Sequence, residues 1–340
     1  MKILIVKSVA AGGIEKHVKD LCRALEKDGH KCQVIKVKFS LRSGLKSLYN
    51  YIKAIDDFRP GIVHFHGFKA SLYALYPSKQ IRKIITVHND LEHLPKRRKN
   101  LLARAFRISA KQADYIICVS KHLKEYIKPL LQPNKKVSVI YNGIKLPPLM
   151  KNMPDKNINI GCCGRLTEIK GFHLLIDAFK KIATTDVKIH LHIIGDGPQR
   201  KNLEKLAKGV NERVIFHGFK SNPYVKMSRF DIFVQPSITE GFGITVLEAM
   251  ALNVPVIVSN AGGLTEIVKN NKNGLIVPKG SSIELERALK KLILNVDLRK
   301  KLSKNRGYVE KNFSIESMYQ QTVKVFKESL ADNEMPLKRA

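Results

Sequence analysis

The sequence predicts an α/β protein made of two doubly wound domains, and three observations carry that expectation. Short apolar, β-branched runs alternate with helical patterns along the chain, the pattern left by a parallel sheet with crossover helices. A polar, proline-containing stretch interrupts the alternation near the middle. The length, 340 residues, is long for one hydrophobic core and suits two of ordinary size.

In the first half, Ile3 to Val6, Val34 to Phe39, Ile62 to Phe65, Lys83 to Val87, Tyr115 to Val119 and Val137 to Tyr141 read as buried strands. Asn142-Gly143, Pro147-Pro148 and the run from Met150 to Asp155 then lack periodicity. This predicts a first domain over residues 1–146, a linker over 147–157 and a second domain over 158–314. The second series of strands is Ile158 to Cys163, Ile189 to Ile194, Val214 to His217, Ile232 to Gln235, Val256 to Ser259 and Leu275 to Val277. Helical patterns follow over Glu284 to Leu294, Leu298 to Lys311 and, after an N-cap candidate at Ser314, Ile315 to Leu330. Disorder is expected only from Asp332 to Ala340.

Charge narrows the partners. Lys plus Arg number 61 against 29 Asp plus Glu. Residues 1–150 hold 30 and 10, a surplus of 20, and the remainder 31 and 19, a surplus of 12. The densest cluster, Lys96, Arg97, Arg98 and Lys99, continues through Leu101, Leu102, Arg104, Phe106, Arg107 and Ile108 at helical spacing. Two readings stand: a solvated basic face with the apolar residues turned inward, or a surface for anionic membrane. Nucleic acid ranks well below, because the chain has no Trp and does not interleave aromatic with basic residues. No apolar stretch approaches a membrane span and the N-terminal apolar run is short for a signal peptide, so a cytoplasmic location is expected. The five cysteines, including the adjacent pair Cys162 and Cys163, show no metal-ligand spacing with histidine and read as reduced thiols.

The most specific segment is Glu240-Gly241-Phe242-Gly243-Ile244-Thr245-Val246-Leu247-Glu248. Gly241 and Gly243 lie where an apolar segment ending near Gln235 hands over to a helix, so the free amides of the first turn can face a phosphate. Glu248 falls about a turn and a half into that helix, where its carboxyl can accept hydrogen bonds from ribose hydroxyls. Buried among Val246, Leu247, Ala249 and Met250, it needs a partner. The spacing reads as a nucleotide clamp.

This run also resembles the double-glutamate motif of retaining glycosyltransferases of the GT-B class, family 4 in particular. The order of other short motifs agrees with the resemblance: Gly12-Gly13-Ile14-Glu15, Val87-His88-Asn89-Asp90, Tyr141-Asn142-Gly143-Ile144, Gly164-Arg165-Leu166 with Lys170-Gly171, and Gly195-Asp196-Gly197-Pro198. The resemblance implies two Rossmann-like domains facing across a cleft, with the helix at 315–330 crossing back to the first. It implies a retaining transfer from a nucleotide-diphosphate sugar, UDP-sugar favoured over GDP-sugar, to a lipid-linked or saccharide acceptor of cell-surface polysaccharide or lipopolysaccharide synthesis. Arg165 and Lys170, at the end of one strand, would hold the departing diphosphate. Glu240 would bind hydroxyls of the transferred sugar, and amides of Phe242, Gly243, Ile244 and Thr245 would hold sugar and phosphate. His88 would face the sugar, although His64 and His66 on the neighbouring strand compete for that place. Gly12 and Gly13 would let backbone approach acceptor and phosphate, and Gly218 would expose Phe219 and Lys220 backbone groups to the base.

A dinucleotide reading of the Gly12-Gly13 loop fails, because a third glycine is missing and the second strand carries Lys36 and Lys38 with no acid at its end. No Asp-x-Asp pair ends a strand, so metal-independent transfer without a cofactor is expected. Lys96, Arg97, Arg98, Lys99, Arg104 and Arg107 remain the candidates for a peripheral contact with the inner face of the membrane. The rival class is a basic binding module that keeps the fold without catalysis. A phosphorylase or an epimerase of similar architecture is a further enzymatic alternative.

Overall fold

The computed structural model describes residues 1–8, 12–38, 41–78, 80–149, 157–183 and 188–331, with no side-chain description for 41–43. Phe39, the stretch 150–156 of the expected linker and the expected tail at 332–340 lie outside these residues. The chain divides into two compact units, Met1–Gly143 joined by the chain from Ile315 onward, and Ile144–Ser314.

The first unit runs β1 (Lys2–Ser8), α1 (Gly13–Lys27), β2 (Lys31–Val37), α2 (Leu41–Phe58), β3 (Ile62–His66), β4 (Arg82–Val87), α3 (Lys96–Gln112), β5 (Tyr115–Cys118), α4 (Lys121–Ile127) and β6 (Val137–Val139). Its six strands pair in parallel in the order β2-β1-β3-β4-β5-β6. The central strands are continuous apolar runs because helices cover both faces, and Ile3, Ile5, Ile62 and Ile84 are fully buried. β2 departs from the buried strand expected there. It begins three residues earlier, and Val34 is 38% exposed because the strand lies at the sheet edge.

The second unit runs β7 (Ile158–Cys163), α5 (Phe172–Ile182), β8 (Ile189–Ile194), α6 (Arg200–Leu206), β9 (Val214–Phe216), α7 (Tyr224–Met227), β10 (Ile232–Gln235), α8 (Ile244–Ala251), β11 (Val256–Ser259), α9 (Leu264–Ile267), β12 (Leu275–Val277), α10 (Ser282–Leu294), α11 (Val296–Ser303) and α12 (Arg306–Asn312). Its sheet is also parallel, in the order β12-β11-β10-β7-β8-β9. Phe172, Leu175, Phe179, Ile193, Val234 and Leu289 belong to one buried core around it. α10 starts where Ser281 accepts a hydrogen bond from the Glu284 amide, with Glu at the third helical position.

The single helix expected over Leu298 to Lys311 is two. Asn305, 3% exposed, turns its side-chain amide onto the carbonyls of Leu302 and Asn273, at 2.6 and 2.9 Å. Those bonds end one helix and tie the break to the loop before β12, a local competition that periodicity does not reveal. The last helix, α13 (Ile315–Ala331), belongs to the first unit, where Met318, Tyr319, Val323 and Phe326 join the core of Ile3, Val18 and Leu21.

Candidate active site

In the second unit the chain proceeds from β7 through β8 to β9 on one side and from β10 through β11 to β12 on the other. The order therefore reverses between β7 and β10, and a crevice opens at the carboxyl ends of that pair. The loop after β7 carries Gly164, Arg165 and Lys170, and the loop after β10 carries Glu240, Gly241 and Gly243. The loops are joined by the Ile238 amide on the Ile169 carbonyl at 2.8 Å. Gly171 permits this approach. Its φ is +66°, and a Cβ there would stand 2.0 Å from the Pro236 carbonyl oxygen.

The two loops also meet through side chains. Lys170 Nζ donates to Glu240 Oε2 at 2.6 Å, with the side chains 23% and 13% exposed. The same oxygen accepts from Ser237 Oγ at 3.1 Å. Ser237 accepts from Gln235 Nε2 at 2.8 Å, and Gln235 Oε1 accepts from Thr245 Oγ1 at 3.1 Å. Gln235 and Ser237 are fully buried, so they hold the carboxylate from below while the ammonium neutralises it from the partly open side. An ammonium has three donors and the carboxylate takes one, which leaves capacity for an anionic ligand. Arg165, near the start of the same loop, is exposed.

α8 begins after Gly243, whose φ of +113° turns the chain, and no side chain caps it. Its first amides are thereby left for an anion. Glu248 is 4% exposed and accepts a hydrogen bond from the Tyr224 hydroxyl at 3.1 Å. Gly241, Phe242 and Gly243 are buried, with Ile244 and Thr245 half-buried. Gly218 and the 71% exposed Phe219 follow β9 and are bound into the same edge by the Gly195 amide on the Gly218 carbonyl at 2.9 Å.

The first unit has its own reversal, between β1 and β3, and it gathers a second polar cluster. Lys7, 1% exposed, pairs with Glu15 on α1 and lies opposite His66 in the strand register. The bond from Lys7 holds the Glu15 carboxyl below its usual range. His17 on α1, His66 ending β3 and His88 just after β4 converge, with His66 Nδ1 and His88 Nε2 hydrogen-bonded at 2.9 Å. The His17 ring lies edge-on to His88 at 4.9 Å. Burial lowers the pKa of His17 to about 4 and of His64 to about 3, and holds His66 and His88 well below the ordinary value. His88 and the competing His64 and His66 thus belong to one buried neutral cluster. His64 Nε2 is bonded to Thr86 Oγ1 at 2.6 Å. Gly12 and Gly13 open α1 and are exposed.

On α3 the apolar residues are only partly turned inward. Phe106 is fully buried, whereas Leu101 is 66% and Ile108 55% exposed. Lys96, Arg97, Arg98, Arg104 and Arg107 are exposed, and Lys99 pairs with Glu92 at 2.6 Å. Among the described residues no helix is long and apolar enough to cross a membrane.

Sequence reasoning missed Gln235, Ser237 and the link from Thr245, whose bonds depend on how the loop after β10 folds back on itself, and Tyr224, which reaches Glu248 from α7. It also missed His17, which occupies a core position of an amphipathic helix and looks like packing. The signal available was its place four residues after Gly13, facing a sheet that carries His64 and His66 at alternate positions.

Family models agree with both halves: residues 36–146 match "Glycosyltransferase Family 4" and residues 150–307 match "Glycosyl transferases group 1". The capsular polysaccharide biosynthesis glycosyltransferase CapM of Staphylococcus aureus is 30% identical over 332 residues, covering 90% of this chain and 87% of CapM. An uncharacterised glycosyltransferase of Methanocaldococcus jannaschii is 34% identical over 226 residues, 66% of this chain, and the match spans 62% of that protein's length. In fold, the Anabaena protein HepE, solved in complex with UDP, aligns over 96% of this chain and all of its own with a TM-score of 0.80 at 22% identity. Two parallel sheets flanked by helices, a double-glutamate segment at the second sheet's reversal and relatives matched over most of their length lead to one assignment: the chain belongs to the GT-B glycosyltransferases of family 4.

Proposed function

We propose that the protein is a retaining, metal-independent transferase that moves a sugar from a UDP-sugar, in preference to a GDP-sugar, onto a lipid-linked or saccharide acceptor of cell-surface polysaccharide or lipopolysaccharide synthesis. The observation that carries the donor half is the Lys170–Glu240 pair at the reversal of the second sheet, backed by Gln235, Ser237 and Thr245. Lys170 and Arg165 stabilise the charge that grows on the diphosphate as it leaves. The open amides at the start of α8, after Gly241, Phe242 and Gly243, bind phosphate, and Glu240 grips the sugar hydroxyls. Glu248, oriented by Tyr224, takes the ribose, while Gly218 and Phe219 lie toward the base. UDP is favoured because HepE was solved with it. The cell-surface acceptor is favoured because CapM acts in capsular polysaccharide biosynthesis.

In the transfer, the bond from the anomeric carbon to the diphosphate breaks, the acceptor oxygen bonds to that carbon on the same face, and the acceptor proton passes to the leaving phosphate oxygen. The first unit is assigned the acceptor, with Gly12, Gly13 and the neutral His88 as its contacts. Exposed Leu101 and Ile108 amid Arg97, Arg98, Arg104 and Arg107 give α3 the composition of a peripheral membrane contact. The test is incubation of EDTA-treated protein with UDP-sugars and a lipid-linked saccharide acceptor, followed by NMR of the product. An α-linked product from an α-linked donor supports the reading. Inversion, dependence on Mg2+ or release of GDP alone contradicts it.

A further inference from the structure

The histidine cluster of the first unit offers ligating chemistry beyond sugar transfer. His17, His66 and His88 come from three different elements, α1, the end of β3 and the residue after β4, and are 7%, 0% and 6% exposed. Their ring nitrogens offer three donor atoms that all lie within 4.8 Å of one another. The His66 and His88 rings already face each other, with His66 Nδ1 and His88 Nε2 at 2.9 Å. Three nitrogens bound to one tetrahedral ion at about 2.0–2.1 Å stand roughly 3.4 Å from each other, so a modest turn of the His17 ring completes the set. Two buried nitrogens, His17 Nδ1 and His66 Nε2, have no hydrogen-bond partner. A buried imidazole nitrogen left unpaired is costly, and an ion removes that cost where no protein donor does so.

We propose that His17, His66 and His88 form a three-histidine site for a borderline divalent transition ion of the zinc class, with a fourth coordination position left open. The donor set selects the ion: three imidazoles and no oxygen ligand suit zinc, cobalt or nickel and do not suit magnesium or calcium. Burial supports the assignment, because the neutral imidazole is the form that ligates. The nearby cation Lys7 does not oppose it strongly, since Glu15 already pairs with that ammonium. Binding requires both facing nitrogens of His66 and His88 to give up the proton of their hydrogen bond, which tautomer exchange within the rings achieves without net release. This inference stands apart from the donor site. If His88 also contacts the acceptor, as proposed above, the two uses compete for one ring, and the test below does not depend on that competition.

Full-length, tag-free protein is stripped with EDTA and titrated with Zn2+ against a chromophoric chelator, and with Co2+ while its visible absorption is followed. One ion per chain, with the intense visible bands of tetrahedral cobalt, is expected. His17→Asn and His66→Asn each weaken Zn2+ binding by at least about 100-fold, beyond the 10–100-fold that outer-shell changes produce. His192→Asn, in the other unit's stacked His192–His217 pair, leaves it unchanged. Because the buried variants could fail to fold, X-ray absorption on the zinc-loaded wild type counts the imidazoles without any substitution, and three are expected. Substoichiometric binding, fewer than three imidazoles, octahedral cobalt, or affinity that survives in folded His17→Asn overturns the proposal.

Discussion

Replacing Gly171 by alanine tests how the two loops of the donor crevice are held together. The residue adopts φ +66°, a conformation that costs an L-residue about 1–2 kcal/mol. The added Cβ would stand 2.0 Å from the Pro236 carbonyl oxygen, whereas real Cβ contacts stay beyond 3.0 Å, so the loops must part by about 1 Å. Such a forced shift costs about 1–3 kcal/mol more, for a total of roughly 2–5 kcal/mol. Gly209→Ala is the matched control: φ is +90° and nothing lies within 4 Å of the new Cβ, so only the conformational cost of about 1–2 kcal/mol applies. At about 2–4 °C per kcal/mol for a unit of this size, a thermal scan should show Gly171→Ala losing roughly 4–20 °C and Gly209→Ala roughly 2–8 °C. UDP should stabilise the wild type and Gly209→Ala alike and Gly171→Ala much less, because parting the loops separates Lys170 from Glu240. Equal losses in the two variants, or undiminished UDP stabilisation of Gly171→Ala, would refute the argument that this close approach builds the site.

Lys170→Ala should lower single-turnover transfer by about two to three powers of ten with far-UV CD unchanged, the cost of losing one charge-stabilising donor; a fall of less than tenfold counts against its role. Tyr224→Phe removes the hydroxyl bonded to buried Glu248 and should cost about 1–2 kcal/mol by urea denaturation while weakening UDP binding, whereas unchanged values for both would separate Tyr224 from the site. Acid should destabilise the first unit. Burial lowers His17 from 6.5 to about 4, so between those values the unfolded chain binds a proton that the folded chain refuses, and stability falls as pH drops through that window by up to about 3 kcal/mol. Urea midpoints in EDTA at pH 8, 6 and 5 read this directly, and a flat profile would show that the cluster is not buried and neutral.

The strands of the second unit were legible almost to the residue. Ile158–Cys163, Ile189–Ile194, Ile232–Gln235, Val256–Ser259 and Leu275–Val277 fall where the apolar runs fall, since strands covered by helices are written mostly in apolar residues. β2 was less legible because most of its residues stay exposed or half-buried, and the break at Asn305 was hidden because it includes a bond to Asn273, 32 residues away. Lys170 and Glu240 could each be singled out from short motifs. Their pairing could not, because it depends on β7 lying beside β10, a fact of topology 70 residues removed from local sequence. The same holds for His17, which reaches His66 and His88 only once α1 is laid against the sheet.

Nucleotide binding at the reversal of the second sheet is open to direct measurement. Isothermal titration of the wild type, Lys170→Ala and Glu248→Gln with UDP and GDP, in EDTA and at moderate salt to suppress diffuse attraction to the basic surface, tests it most directly. One UDP site per chain, weaker GDP binding and affinity reduced at least tenfold in each variant are expected of a uridine diphosphate sugar site; no binding of either nucleotide, or UDP binding that survives both substitutions, would rule that site out.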